Sequence, residues 1–216
     1  MGFYNTKPAF RQALRPMARR LSMWHPDVWT WVAVGVACLA SWLLLISRSH
    51  FVVLLVVPWL LFLRLLLNVL DGVIAEETHL SSARGEALSE FTDRLSDVAI
   101  LGGVALSGFG HASLAVIAIV VVLLVSYVGI LGKAVGAGRQ YGGLMGKPDR
   151  MVVIMLGCVA QYVVLHMGYE LPVVLGRRIL AFDVASLAIV LLGLYTIMFR
   201  LRAIFHAFDQ ARRLDG

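Results

Sequence analysis

Charged side chains are scarce in this sequence. Only 15% of its 216 residues are Asp, Glu, Lys or Arg, against 60% hydrophobic residues and a mean hydropathy of +0.84. A soluble domain carries roughly 25% charged residues. A chain of this length cannot hide so much apolar surface in one core, so the bilayer must be its solvent. Cysteine is also rare. Cys38 and Cys158 each fall inside an apolar run, which excludes a disulfide framework and reads as two free thiols. His25, His50, His79, His111, His166 and His206 are scattered, so no zinc-ligand spacing exists. No basic stripe with interleaved aromatics is present, which excludes nucleic acid as a partner. A cleavable signal is absent too, because the first stretch is amphipathic and basic with no apolar h-region. Internal repeats, low-complexity segments and any sign of a second domain are lacking, so residues 1–216 read as a single membrane domain.

What is present is a series of apolar runs of bilayer-crossing length. They cover about 28–46, 51–70, 95–107, 112–131, 151–167 and 184–198. The third begins with polar residues, so that half must lie within protein. The expected fold is all-α and integral to the membrane, with six transmembrane helices in a bundle over 28–200. An amphipathic interfacial helix over 5–23 precedes it. Phe10, Leu14, Met17 and Leu21 recur there at three- and four-residue spacing, with Arg11, Arg15 and Arg19 on a neighbouring face. Residues 201–216 read as a basic cytoplasmic tail.

Basic residues cluster beside alternate ends of the spans. Lys7, Arg11, Arg15, Arg19 and Arg20 precede the first. Lys133, Arg139, Lys147 and Arg150 lie between the fourth and fifth, and Arg200, Arg202, Arg212 and Arg213 follow the sixth. The positive-inside rule places these segments in the cytoplasm. The opposite face carries Arg48 and the pair Arg177-Arg178, which can snorkel to the outer interface. The net charge of +6 suits anionic lipid head groups.

The densest chemistry lies at the end of the second run. Arg64, Asn68, Asp71 and Ala75 are spaced by four, three and four, and form one polar stripe on a helix. Gly72, beside Asp71, permits close approach of a backbone or ligand. Gly85, Ser89, Asp93 and Asp97 repeat every four residues along the next helix. The two stripes can converge in a cavity open to the cytosol. Carboxylates at membrane depth are expensive, so a group of them marks an ion or reaction site. Carboxylate, amide and hydroxyl oxygens suit a hard divalent ion, Mg2+ or Mn2+, with Ca2+ admitted by the same ligand chemistry. The competing reading makes Asp93 and Asp97 structural ion-pair partners of Arg64 or Arg94.

These residues resemble the signature of the CDP-alcohol phosphotransferase family, integral-membrane enzymes of phospholipid synthesis. That signature runs Asp, two residues, Asp-Gly, two residues, Ala-Arg, about eight residues, Gly, three residues, Asp, three residues, Asp. Its positions fall here on Asn68, Asp71-Gly72, Ala75-Glu76, Gly85, Ser89 and Asp93, with every spacing kept. His25-Pro26-Asp27-Val28-Trp29-Thr30 is similar to the family's usual approach to its first span. Three positions depart: Asn68 and Ser89 stand where the family has aspartate, and Glu76 where it has arginine. Divergent bacterial members share an Asn first, a neutral polar residue third, a following Glu (Glu90) and a later Ser-Asp (Ser96-Asp97).

The resemblance implies a transferase that moves a phosphatidyl group from CDP-diacylglycerol to an alcohol acceptor and releases CMP. It implies Asp71, Asp93, Asn68 and Ser89 as metal ligands, with Asp93 also the general base. Gly72, Ala75 and Gly85 would border the nucleotide, and Glu76, Glu90 or Asp97 could replace the lost carboxylates. Arg64, Lys133, Arg139, Lys147 and Arg150 are candidates for the acceptor or its phosphate. A homodimer among membrane lipids is the implied assembly. Ser126-Tyr127-Val128 resembles the fourth span's end in phosphatidylinositol-phosphate synthases, but Gly129 and Leu131 follow in place of closely spaced arginines. That departure disfavours an inositol-phosphate acceptor. Two other readings stay open: transfer from a soluble CDP-alcohol to diacylglycerol, and a non-catalytic lipid- or nucleotide-binding membrane protein.

Overall fold

The computed structural model describes residues 7–169, 173–174 and 177–214. The described chain is almost wholly helical: α1 (Lys7–Leu21), α2 (Pro26–Ile46), a 3-10 turn (Phe51–Leu55), α3 (Val57–Glu77), α4 (Ala83–Leu106), α5 (Ala112–Ala134), α6 (Lys147–Met167) and α7 (Ala181–Leu214). A minimal antiparallel hairpin pairs β1 (Val173–Val174) with β2 (Arg177–Arg178) before α7. Among the described residues, five segments are long and apolar enough to cross a membrane: α2, the 3-10 turn with α3, α5, α6, and the first thirty residues of α7. The fourth helix is not among them, because Arg84, Glu86, Glu90, Asp93, Arg94 and Asp97 crowd its first fifteen residues.

Several helices run past the apolar stretches that announced them. The second run continues as helix through the polar stripe to Glu77, and α4 starts at Ala83 rather than near 95. Helix α7 does not stop at 198 but absorbs the expected tail, since no Gly or Pro follows Gly193 before Leu214. Apolarity marks where a helix meets lipid, whereas helicity ends only at caps and breakers. Residues 5–6 and 215–216, and the side chains of Lys7, Phe10, Arg11, Arg177, Arg178, Arg212 and Arg213, lie outside the described part.

The caps explain the boundaries. Pro26 opens α2, where its missing N–H costs nothing, and the His25 ring nitrogen accepts from the Asp27 amide at 3.3 Å. Ser82 Oγ accepts from the Gly85 amide at 3.1 Å and starts α4. Asp149 accepts from the Gly146 amide at 2.9 Å and fixes the start of α6. Between α3 and α4, His79 takes a left-handed φ of 56°, and the Leu80 amide returns to the Ala75 carbonyl at 2.9 Å. This tight reversal leads the chain from α3 into α4, and α2 packs against both helices.

The main core joins Ala37, Ala40 and Leu44 of α2 to Leu61 of α3, Leu101 and Val104 of α4, Val122 of α5, Ile154 of α6 and Ile189 of α7. A smaller cluster sets Ala18 of α1 against Ala33, Leu67, Leu70 and Ile74. Leu14 and Ala18 are buried there, while Met17 is exposed. Arg19 also ties α1 to the end of α3, with Nε donating to Glu77 Oε2 at 2.9 Å. Outward-facing Trp31, Trp42, Trp59, Phe62, Leu106 and Leu156 are exposed, as surfaces solvated by lipid tails should be. At the far end, Asp183 accepts from the His111 amide at 2.6 Å and the Leu180 amide at 3.0 Å, joining the starts of α5 and α7.

Helices α2 and α4 approach most closely at Gly103. A Cβ there would lie 2.8 Å from Ser41 Oγ and 2.9 Å from the Ser41 carbonyl oxygen, while one at Gly102 would meet nothing within 4 Å. Small residues at such crossings let backbones touch. Gly103→Ala is therefore expected to cost about 1–3 kcal/mol of stability, and Gly102→Ala almost nothing. Thermal unfolding midpoints in one detergent check this, and matching midpoints for the two variants would remove the close-crossing account.

Candidate active site

A cavity of about 820 Å³ opens where α3, α4, α5, α6 and α7 meet the loop between α5 and α6. Asn68, Ser89, Glu90, Asp93, Arg139, Lys147 and Arg150 line it together. Those residues span the two polar stripes and the glycine-rich loop. Asp71 is not part of that lining but lies within electrostatic reach of Asp93 and Lys147.

The Asp93 carboxylate is the most heavily engaged group. Lys147 Nζ donates to both of its oxygens at 2.5 Å. Arg64 Nη2 lies 3.7 Å from Oδ1 and Arg94 Nη2 lies 3.9 Å from Oδ2. Asp71 is different. It is buried, accepts from Thr30 Oγ1 at 2.9 Å, and has no ion-pair partner among the described residues. A buried carboxylate without a cation is costly. The Asn68 amide nitrogen is likewise buried with no hydrogen-bond partner. The Asp71 carboxylate therefore suits a hard cation, the Asn68 N–H group suits an oxygen acceptor such as a phosphate, and the Lys147 ammonium shows that positive charge is accepted on Asp93.

Asp97, one turn on, shares Arg64 and Arg94 with Asp93. Arg150 Nη2 donates to Asp97 Oδ2 at 2.6 Å, Arg94 Nε lies 3.5 Å from the same oxygen, and Arg64 Nη2 lies 3.8 Å from Oδ1. Arg64 is fully buried and also donates to the Asp93 carbonyl at 3.3 Å. The ion pairs that the sequence offered for Asp93 and Asp97 are thus both formed. Arg64 and Arg150 serve this network, and Asp97 is engaged by guanidinium groups.

The remaining candidates lie nearer the rim. Arg139 pairs with Glu90 and with Glu86, and stacks over the Tyr141 ring at 5.0 Å. Lys133 Nζ donates to both Glu86 oxygens at 2.7 and 2.8 Å. Glu76 is exposed at the end of α3. Ala75 and Gly72 are half-buried on α3. An added Cβ at Gly85 would meet only Ser82 Oγ, at 3.4 Å, so protein packing does not require a glycine there.

The loop wall is pinned from α7. Thr196 Oγ1 accepts from the Leu144 and Met145 amides at 3.1 and 3.0 Å, and Arg200 Nε donates to the Gly142 carbonyl at 2.9 Å. Gly143 has φ 111°, and a side chain there would collide with Thr196. Arg200 Nη1 reaches the Val125 carbonyl at 2.6 Å, and a Cβ at Gly129 would sit 2.7 Å from it. The cation beside Gly129 thus comes from α7. Sequence reasoning missed Thr30, Thr196 and the inward role of Arg200. Its only signals were lone hydroxyls in apolar runs and an arginine counted toward topology.

Comparison with known proteins places this arrangement. No protein-family model matches the chain. The inner membrane protein YnbA of Escherichia coli is 30% identical over 158 residues, 72% of this chain and 78% of that protein. The archaetidylinositol phosphate synthase of Methanothermobacter thermautotrophicus is 28% identical over 158 residues, covering 73% and 77%. Among solved structures, the Mycobacterium tuberculosis phosphatidylinositol phosphate synthase with CDP-DAG bound matches with a TM-score of 0.71 and 20% identity, over 90% of this chain and 94% of that one. The same enzyme with manganese and citrate gives 0.70 and 21%, over 88% of each. At such identity these structures speak to the fold, and the sequence matches carry the kinship, with the archaetidylinositol phosphate synthase pointing to the family. The chain is a multi-pass integral membrane protein and belongs to the CDP-alcohol phosphotransferase family, the transferases of phospholipid synthesis.

Proposed function

We propose that this chain transfers a phosphatidyl group from CDP-diacylglycerol to an alcohol acceptor, releasing CMP, with a divalent ion bound near Asp71 and Asp93. The observation that carries the reading is Asp71: a buried carboxylate with no ion-pair partner among the described residues, beside a cavity lined by Asp93 and several cations. Supporting it, a relative at 28% identity is an archaetidylinositol phosphate synthase, and a protein of the same fold binds CDP-DAG and, in another structure, manganese.

Asp71 and Asp93 would hold the ion, with Asn68 and Ser89 as neutral neighbours. A bound Mg2+ or Mn2+ would supply positive charge against the diphosphate. Asp93 is positioned at the cavity wall to take the proton of the acceptor hydroxyl. The hydroxyl oxygen forms a bond to the phosphorus that carries diacylglycerol, and the bond from that phosphorus to the bridging oxygen breaks. CMP leaves with the electron pair. Arg139 and Lys147 offer charge-assisted hydrogen bonds to phosphate oxygens as their carboxylate partners are displaced, while Arg150 stays on Asp97. Gly85, where a side chain would meet only Ser82 Oγ, leaves room for the nucleotide.

The membrane arrangement belongs to the same reading. Helix α4 has 24 residues, a length of about 36 Å at 1.5 Å per residue. Its charges are met by Arg64, Arg150, Lys147, Lys133 and Arg139 from neighbouring elements. It can therefore serve as the sixth crossing, with both termini, the cavity mouth and the α5–α6 loop in the cytoplasm. Helix α1 then lies along the inner leaflet, and a second copy of the chain can complete a homodimer.

Release of CMP from CDP-diacylglycerol, with phosphorylated and neutral alcohols as acceptors, tests the activity. Mg2+ or Mn2+ should be required, and Asp93→Asn should lower turnover by about 10²–10⁴-fold while the protein stays folded. If no acceptor supports metal-dependent CMP release, the lipid- or nucleotide-binding reading prevails. Orientation has its own check, in a background without Cys38 and Cys158. Gly136→Cys should be labelled from the cytoplasmic side and Arg177→Cys from the outside. Labelling of both from one side would exclude six crossings.

A further inference from the structure

We infer that Asn68 is a phosphate-binding residue: its amide N–H group donates to an oxygen of the substrate's diphosphate, and it is not a ligand of the divalent ion. The inference rests on the proposed transferase reading for the identity of the anion.

An asparagine amide can serve either partner. Its oxygen accepts and can join a hard cation, whereas its nitrogen carries two donors. In this chain the nitrogen is the atom left buried with no hydrogen-bond partner. A buried N–H without an acceptor is costly. Asn68 lines the cavity, so the acceptor that the protein withholds can arrive with whatever enters there.

Other short polar side chains on these helices behave differently. Thr78 Oγ1, Thr92 Oγ1 and Ser96 Oγ each donate to a carbonyl one turn earlier, on Ile74, Leu88 and Thr92, at 2.7, 2.8 and 2.8 Å. Asn68 makes no such bond among the described residues, although asparagine readily competes for nearby backbone groups. It is also a poor helix former in the interior of α3. The helix itself gains nothing from an asparagine at this position.

The surrounding charges favour an anion as the missing partner. Asp93, which shares the cavity, already has three cations about it: Lys147 Nζ at 2.5 Å, Arg64 Nη2 at 3.7 Å and Arg94 Nη2 at 3.9 Å. Arg64, one turn before Asn68 on the same stripe, is fully buried, and its Nε and Nη1 have no hydrogen-bond partner either. Two successive stripe residues therefore hold unused N–H donors, beside a cavity that Arg94, Arg139 and Lys147 also line. Phosphate oxygens satisfy such donors and cations together. The stripe thus divides its roles. Asp71, three residues on, keeps the carboxylate that suits a cation, and Asn68 takes the anion. An ionised aspartate at position 68 could not do this, since it has no donor and repels phosphate.

Binding of radiolabelled CDP-diacylglycerol to the purified full-length protein in detergent tests this, once in EDTA and once in MnCl2. The wild type should bind in both. Asn68→Leu should weaken binding about 10–100-fold in both, the loss of one hydrogen bond to a charged group. Asn68→Asp should weaken it further in EDTA, because a carboxylate then faces the diphosphate. A ligand of the ion behaves in the opposite sense: Asn68→Leu would weaken binding only in MnCl2, and Asn68→Asp would bind more tightly there than the wild type. Either result overturns the inference, as does an unchanged Asn68→Leu affinity or a wild type that binds nothing in EDTA. The ligand-free melting midpoint separates binding from folding. Asn68→Leu should match or exceed the wild type, because it removes an unpartnered buried donor; a lower midpoint marks a structural amide and also overturns the inference. Failure of the transferase reading looks different: the affinities come out as expected, but no acceptor yields CMP.

Discussion

Everything near the cavity depends on one constraint: charges at the edge of a membrane must be paired inside the protein. Lipid offers no hydrogen bonds, and an unpaired ion there is costly. The chain meets this with a compact network in which Arg64 of α3, Asp93, Arg94 and Asp97 of α4, and Lys147 and Arg150 of α6 face one another. Three helices are drawn together at one end by it. Such a network is weak evidence of net stability, because desolvation consumes much of the attraction. What it fixes is register. If α4 slid by one turn, one aspartate would take the other's place and the displaced one would lose its partners.

Within that network the two aspartates divide the work. Asp97 is closed off by three guanidinium groups and holds α4 against α6 and α3. Asp93, one turn earlier, reaches the cavity wall and meets a flexible ammonium. The same row on one helix thus passes from scaffold to chemistry in a single turn. The left-handed His79 turns the chain after α3, and α2, packed against both α3 and α4, brings the two helices that carry Asp71 and Asp93 into one bundle.

Much of this was legible in the residues. The period-four rows Arg64-Asn68 and Gly85-Ser89-Asp93-Asp97 announced two facing stripes, because helical spacing is a strictly local property. The membrane spans were legible from apolar runs, although their ends were not: α3 and α7 continue where hydropathy stops but no breaker stands. Partner choice was the least legible. The sequence allowed Lys147 and Arg150 as phosphate ligands, and the structure pairs them with Asp93 and Asp97 across more than fifty residues. Such pairings are set by how helices cross, which no window of sequence contains. Thr30 and Thr196 were opaque for the same reason, since one hydroxyl in an apolar run announces no direction. Arg200 looked like a topology signal because it follows the last apolar run, yet its helix continues and turns it inward.

The hold of α7 on the cavity wall carries a kinetic consequence. Surface loops ordinarily fluctuate within nanoseconds to microseconds. The segment through Gly142, Leu144 and Met145 hangs instead on Thr196 and Arg200. The Thr196 hydroxyl is itself spent on the Leu192 carbonyl at 2.7 Å. To move away, the segment must break several backbone hydrogen bonds at once or carry the long helix with it. A glycine-rich stretch thereby takes on the slower clock of helix displacements, microseconds to milliseconds, and any widening of the cavity is paced by the bundle rather than by its loop.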